Sequence, residues 1–201
     1  DDHDLKKVAL ISANGEEDVA NLIVSAIKAS GVDGEVIVEE AKGFKSSLTV
    51  VDGYQLERGY LSPYFITDKD KSVCDFKDPL ILMVDNSFTS IHGLMKPLEA
   101  ALDMSKPIVV IANEIDDEAL QGLVVNKVKG ALKVSAIKSP GFGATRHELL
   151  NDLQSVIGGR VLNASFDMDD FDPSMFGSCK RVIIQRASTL FMTDENKSEE
   201  C

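Results

Sequence analysis

The chain has no tryptophan, and aromatic residues make up only 6% of its 201 positions. Cysteine occurs three times and histidine three times. Cys74, Cys179 and Cys201 lie far apart without a C-x-x-C, and His3, His92 and His147 show no ligand spacing beside them, which argues against a structural zinc site. An odd cysteine count with no secretory signal points to a reducing compartment. No apolar run approaches the length of a membrane span. No Lys/Arg cluster offsets the 33 acidic against 21 basic residues, and the net charge of -12 argues against nucleic acid as the main partner. Phosphate loops are missing too: Gly141-Phe142-Gly143 runs into Ala144, and neither G-x-G-x-x-G nor G-x-x-x-x-G-K-[ST] occurs. There is no G-x-S-x-G elbow. His92 and His147 have no nucleophile beside them, and Glu39-Glu40 and Asp116-Asp117 are ordinary acid pairs. A small-molecule α/β enzyme is therefore the weaker functional class. The opening Asp1-Asp2-His3-Asp4 is not a targeting peptide and lacks an initiator Met, so a fragment or processed segment is expected.

Hydrophobic content of 44% and charged content of 27% fit a globular chain of one large domain, or one domain with an appendage. Val8-Ala9-Leu10-Ile11 is a short apolar stretch, followed by a helix over 16–30 that Gly31 stops. Strands are expected at 34–39 and 47–51, with Asp52-Gly53 as a turn or hinge. An alternation then begins. Leu80–Val84, Pro107–Ala112 and Leu132–Ile137 read as strands, and helices fall between them and after the third, over 146–157. Later strands are expected at 160–162, 180–184 and 189–192. The acidic stretch 167–172 reads as a surface loop, and the polar tail 194–201 as disordered. The fold class is α/β with a partly parallel sheet, and Gly53 is the candidate boundary.

Arg58-Gly59-Tyr60-Leu61-Ser62-Pro63-Tyr64-Phe65 concentrates rings on a stiff, non-helical stretch. Such rings either fall into the core at a strand corner or form a contact surface. The helix over 117–129 bears on that choice. Ala119, Leu120, Leu123, Val124, Val125 and Val128 spread over roughly 240° of its wheel, whereas one packing face needs a stripe of about 100°. It is either sandwiched between layers or leaves an apolar flank exposed. In the preceding helix, Leu94, Met95, Leu98, Ala101 and Leu102 fit one stripe of about 120°, for which core packing suffices. Pro97 sets that helix's start near Gly93-Leu94.

Five motifs together carry a family resemblance. They are Ile11-Ser12-Ala13-Asn14, the Arg58–Phe65 stretch, Lys106-Pro107, Glu118-Ala119-Leu120 with Leu123-Val124-Val125-Asn126, and Lys138-Ser139-Pro140-Gly141-Phe142-Gly143. In this order the chain resembles the group I chaperonins, the GroEL type. The resemblance implies an apical-domain fold of sheet layers flanked by helices over 52–193, C-terminally truncated. It also implies a small αβ piece of the intermediate domain over 1–51. Non-native polypeptides and a GroES-type co-chaperonin lid would bind an apolar groove formed by Tyr60, Tyr64, Phe65, Met95, Leu98, Leu120, Val124, Val125 and Asn126. Gly53 would be the hinge, and Arg58 and Glu99 would join contacts within or between subunits.

The family's nucleotide loop and equatorial domain are not in this sequence. Ala144-Thr145 stands where the family usually has Asp-Arg. ATP, magnesium, ATPase activity and a homo-oligomeric ring are thus implied only for the full-length family, with no cofactor within this chain. The resemblance implies a mitochondrial matrix or bacterial cytoplasmic setting. The alternative is a truncated or divergent paralogue without folding activity. On this reading Tyr60, Tyr64 and Phe65 are all expected to be partly exposed on the rim of the groove.

Overall fold

The computed structural model describes Val24, residues 35–39 and residues 47–195. The apolar stretch expected at 8–11, the helix expected over 16–30 apart from Val24, which is helical, and residues 196–201 lie outside the described residues. The chain divides into two compact units, residues 1–53 with 192–201, and residues 54–191.

In the first unit, β1 (Glu35–Glu39) pairs antiparallel with β2 (Ser47–Leu56), from Glu35 opposite Val51 to Glu39 opposite Ser47. The sequence suggests a turn at Asp52-Gly53, but β2 runs through both residues. The β-branched pair before them and Tyr54 after them favour extended backbone strongly enough to carry the strand across.

The second unit is built on a parallel sheet. Its strands are β4 (Leu80–Phe88), β5 (Ile108–Ile115), β6 (Val134–Lys138) and β7 (Val161–Asn163), in the spatial order β6-β5-β4-β7. The connecting helices are α1 (Met95–Asp103), α2 (Asp117–Val128) and α3 (Gly143–Ile157). Apolar runs in β4 and β5 put alternate residues on opposite faces, and both faces are covered. Leu80, Leu82, Val84, Ile108 and Val110 pack with Leu94, Leu98 and Ala101 of the α1 region and Ala119 and Leu123 of α2. Ile81, Met83, Val109 and Ile111 pack with Leu150, Leu153 and Ile157 of α3. Moving one way through β4, β5 and β6 and then back to β7 places α1 and α2 on one face and α3 on the other, as right-handed crossovers require.

Shorter antiparallel strands follow. β8 (Gly177–Ser178) pairs with β4, and β9 (Arg181–Ile184) pairs with β3 (Cys74–Lys77) and neighbours β10 (Thr189–Glu195). Pattern reading misses β3 because it is four residues long and half charged. Asp75 and Arg181 are matched across the sheet, with Arg181 Nε and Nη2 donating to the two Asp75 carboxylate oxygens at 2.9 and 2.6 Å. β10 reaches Glu195, so the tail expected to be disordered from Asp194 begins as strand. The acidic stretch 167–172 is ordered by its own carboxylates. Asp167 and Asp172 accept from the amides of Asp169 and Ser174, each capping a short 3-10 turn. The hydroxyl of Ser174, and after it the Ser174 amide, hold the Asp172 carboxyl below its usual range.

Cys74 lies fully buried on β3. Burial raises its thiol from an ordinary 9.0 to about 12, and the charge of Lys127 opposes part of that rise. The folded state thus holds this proton more tightly than the unfolded chain. The stability this confers is present below pH 9 and is lost as pH rises from about 9 towards 12. Two results are expected: native protein at pH 8 leaves Cys74 unmodified by iodoacetamide, and Cys74→Ala flattens the fall of the urea midpoint above pH 9. Prompt alkylation of Cys74 in the native state would refute both.

Candidate functional site

The stretch 58–66 is positioned mostly by backbone bonds. Tyr60 N–H donates to the Gln185 carbonyl at 3.1 Å, and Leu61 N–H to the Ala136 carbonyl at 3.0 Å. Tyr60 forms a bridge opposite Ile137, so the segment covers the outer edge of β6. The Arg58 carbonyl accepts from buried Thr189 Oγ1 at 2.7 Å. Ser62 then starts a single 3-10 turn, Pro63–Phe65, its Oγ accepting from Tyr64 N–H at 3.3 Å. Pro63 suits the first position of that turn because its missing N–H has no partner to lose. Consecutive residues of a 3-10 turn point about 120° apart. Tyr64 therefore turns outward, 67% exposed, while Phe65 turns into the core at 0%.

α2 flanks this turn, and α1 joins α2 through a second short turn. α2 opens with Asp117 and Glu118 and closes with Lys127, the charge order its dipole favours. The short 3-10 turn Ile91–Leu94 leads into α1 and packs on α2 at Gly122. A Cβ there would meet Ile91 Cδ1 at 2.9 Å and its Cβ at 3.0 Å, so Ile91 would have to shift to admit a larger residue. α2 also contacts the Pro63–Phe65 turn. Ala119 and Leu123 face the core, and Leu120 and Val124 are half-buried against it. Val125 and Val128 are 47% and 65% exposed. Of the two readings of the over-wide apolar arc, the exposed flank is the one observed.

The residues expected to form the groove sort into layers. Phe65 and Leu98 are buried in one core cluster, which corrects the expectation of an exposed Phe65 and of Leu98 as a contact residue. Leu98 is 6% exposed because it is in register with Leu94 and Ala101, facing the sheet. Tyr60, Leu120 and Val124 are half-buried and packed on the same cluster. Tyr64, Met95 and Val125 are exposed. Asn126 is half-buried, and its Nδ2 donates back to the Gly122 carbonyl at 2.8 Å, so one donor is used within its own helix. Gly53 lies within β2 at the boundary of the first unit. Arg58 is half-buried and Glu99 exposed.

The single core stripe expected for α1 also needs correcting. Met95 and Leu102, two turns apart on one flank, are exposed, and buried Pro97 takes a place on the core side instead. Nearby, a cavity of about 230 Å³ opens between the end of α1 and the loop after α2, lined by Leu102, Lys106, Ala131 and Leu132 among others. Val128 was legible as part of the wide arc. Leu102 was not, because periodicity alone cannot tell which flank of a two-sided stripe meets the sheet.

The C-terminal ends of parallel strands are where α/β sheets commonly hold reaction centres. Here Asp85 of β4 accepts from Asn113 Nδ2 at 2.8 Å and from Arg146 Nε at 3.1 Å, with His147 Nδ1 at 3.7 Å. These groups are mutually paired and tie the first turns of α3 to the sheet. Among the described residues no group of three or more His, Cys, Asp or Glu could hold a metal ion, and no helix is long and apolar enough to cross a membrane.

No protein-family model matches the chain. Two curated relatives from Zea mays, chaperonin CPN60-1, mitochondrial, and chaperonin CPN60-2, mitochondrial, are each 38% identical to it over 191 residues. The match covers 94% of this chain and 33% of either relative, so the chain spans about a third of the length of the curated relatives it matches.

Proposed function

We propose that this chain, a group I chaperonin fragment by its similarity to the curated relatives, holds non-native polypeptide on the apolar face formed by Tyr64, Met95, Val125 and Val128. The single observation that carries this reading is the exposed flank of α2 beside an outward-turned Tyr64 on a rigid turn. Binding would be burial of apolar area without chemistry, at about 25 cal/mol per Å² removed from water. A tyrosine and a methionine suit such a surface, one as a rigid ring and the other as an adaptable filler.

On the same reading residues 52–193 are an apical domain and residues 1–51 part of an intermediate domain, with Gly53 as the pivot. Arg58 and Glu99 would take part in contacts within or between subunits. A co-chaperonin lid would share the apolar face. The relatives named mitochondrial make the mitochondrial matrix the compartment we favour. ATP and magnesium belong to the full-length family. The described residues do not fit them, since the sequence has no phosphate loop and these residues form no metal-ligand group, so no step is routed through nucleotide.

Light scattering of a chemically denatured client diluted into the protein tests the reading. Wild type should suppress aggregation, and Val125→Ser with Val128→Ser should require about tenfold more protein for the same suppression, with the melting temperature unchanged. Equal suppression by both proteins would overturn the assignment and favour a structural role.

A further inference from the structure

Lys127 lies on α2 between half-buried Asn126 and exposed Val128. Its ammonium does not run out to solvent from the helix end. Nζ donates instead to the carbonyl of Ile66 at 3.0 Å, a half-buried bond across 61 positions of chain. Ile66 closes the Pro63–Phe65 turn, its own N–H bonding to the Pro63 carbonyl at 3.1 Å. Beyond it the chain turns away, Thr67 and Asp68 both donating to the Val73 carbonyl. Lys127 therefore joins the client-facing helix to the end of the turn that sets Tyr64 outward and Phe65 inward. Holding a long, flexible side chain in one geometry is entropically unfavourable, and a charge-assisted bond to a carbonyl is strong enough to sustain it.

We propose that Lys127 is a positioning residue for polypeptide binding: its bond to Ile66 fixes the Pro63–Phe65 turn against α2 and so pre-organises Tyr64 as an anchor. The proposal rests on the reading that this face takes polypeptide. With the bond made, a bound chain meets a ring already in place. Without it, ordering the turn becomes part of the binding free energy, and affinity falls.

The test uses the whole chain as wild type, Lys127→Met and Lys127→Arg. Lys127→Met keeps length and apolar stem but removes the donor, and Lys127→Arg restores a donor. Amide hydrogen exchange is read by residue, and binding is read by fluorescence anisotropy with a labelled amphipathic peptide of Leu, Ser and Glu. Lys127→Met should speed exchange at residues 64–67 about tenfold, leave β4 and β5 amides unchanged, and weaken peptide binding about threefold to tenfold. Lys127→Arg should recover most of both effects. Unchanged exchange at 64–67 in Lys127→Met, or peptide binding equal to or tighter than wild type, would overturn the proposal. Wild type that binds no peptide, with the exchange difference intact, would instead overturn the polypeptide-binding reading while the Lys127–Ile66 tether stands.

Discussion

Phe65→Ala should lower the stability of the protein by about 3–5 kcal/mol, whereas Tyr64→Ala should change it by less than about 0.5 kcal/mol. The two rings are adjacent in sequence and opposite in role. Phe65 is fully buried in the cluster that contains Leu98, Ala119 and Leu123, so truncating it removes transfer energy and leaves a cavity. Tyr64 leaves the same turn towards solvent, and its backbone bond to Ser62 Oγ does not depend on the ring. The functional effect should be reversed. Tyr64→Ala should weaken peptide binding several-fold with an unchanged urea midpoint. Paired urea titrations and anisotropy measurements on the two variants decide the matter. Equal loss of stability in both would mean that the turn does not separate its rings as described.

Gly59→Ala should be nearly as damaging, at about 3 kcal/mol or more, although it adds one methyl group. A Cβ at Gly59 would lie 2.1 Å from the Gln185 carbonyl oxygen and 2.2 Å from the Arg186 carbonyl carbon, both backbone atoms that no rotamer change can move aside. Relief requires the 58–61 segment to lift off the turn after β9. That in turn breaks the Tyr60–Gln185 bond and strains the Thr189–Arg58 bond. Because this segment also covers the edge of β6 through Leu61, the damage should extend to the position of Tyr64. Loss of cooperative unfolding, or a midpoint shifted far below wild type together with lost peptide binding, is expected. A variant within about 1 kcal/mol of wild type would show that the crossing has more room than these distances allow.

Much of the architecture was legible in advance because its signals are local. Continuous apolar runs gave β4, β5 and β6, and helical spacing gave α1, α2 and most of α3. Errors collected where a local signal was absent or two signals competed. β3 carries two charged residues in four, and its pairing with β9 depends on an arginine over a hundred positions away. Asp52-Gly53 reads as a turn, yet the flanking residues extend it into β2. β10 continues into polar residues that composition alone assigns to a tail.

The sequence by itself determined the alternating α/β framework, the excess apolar surface of α2 and the cluster of rings at 60–65. Each follows from residue type and spacing. Tertiary structure decided which part of that surface remains outside. The side chains of Phe65 and Leu98 went to the core because a 3-10 turn and the face of α1 rotated them there, leaving Tyr64, Met95 and Val125 exposed. Val128 stayed exposed while Ala119 and Leu123 of the same helix turned to the core and Gly122 met Ile91. Periodicity fixes how residues are arranged around an element, but the rotation of that element against its neighbours depends on contacts distant in the chain.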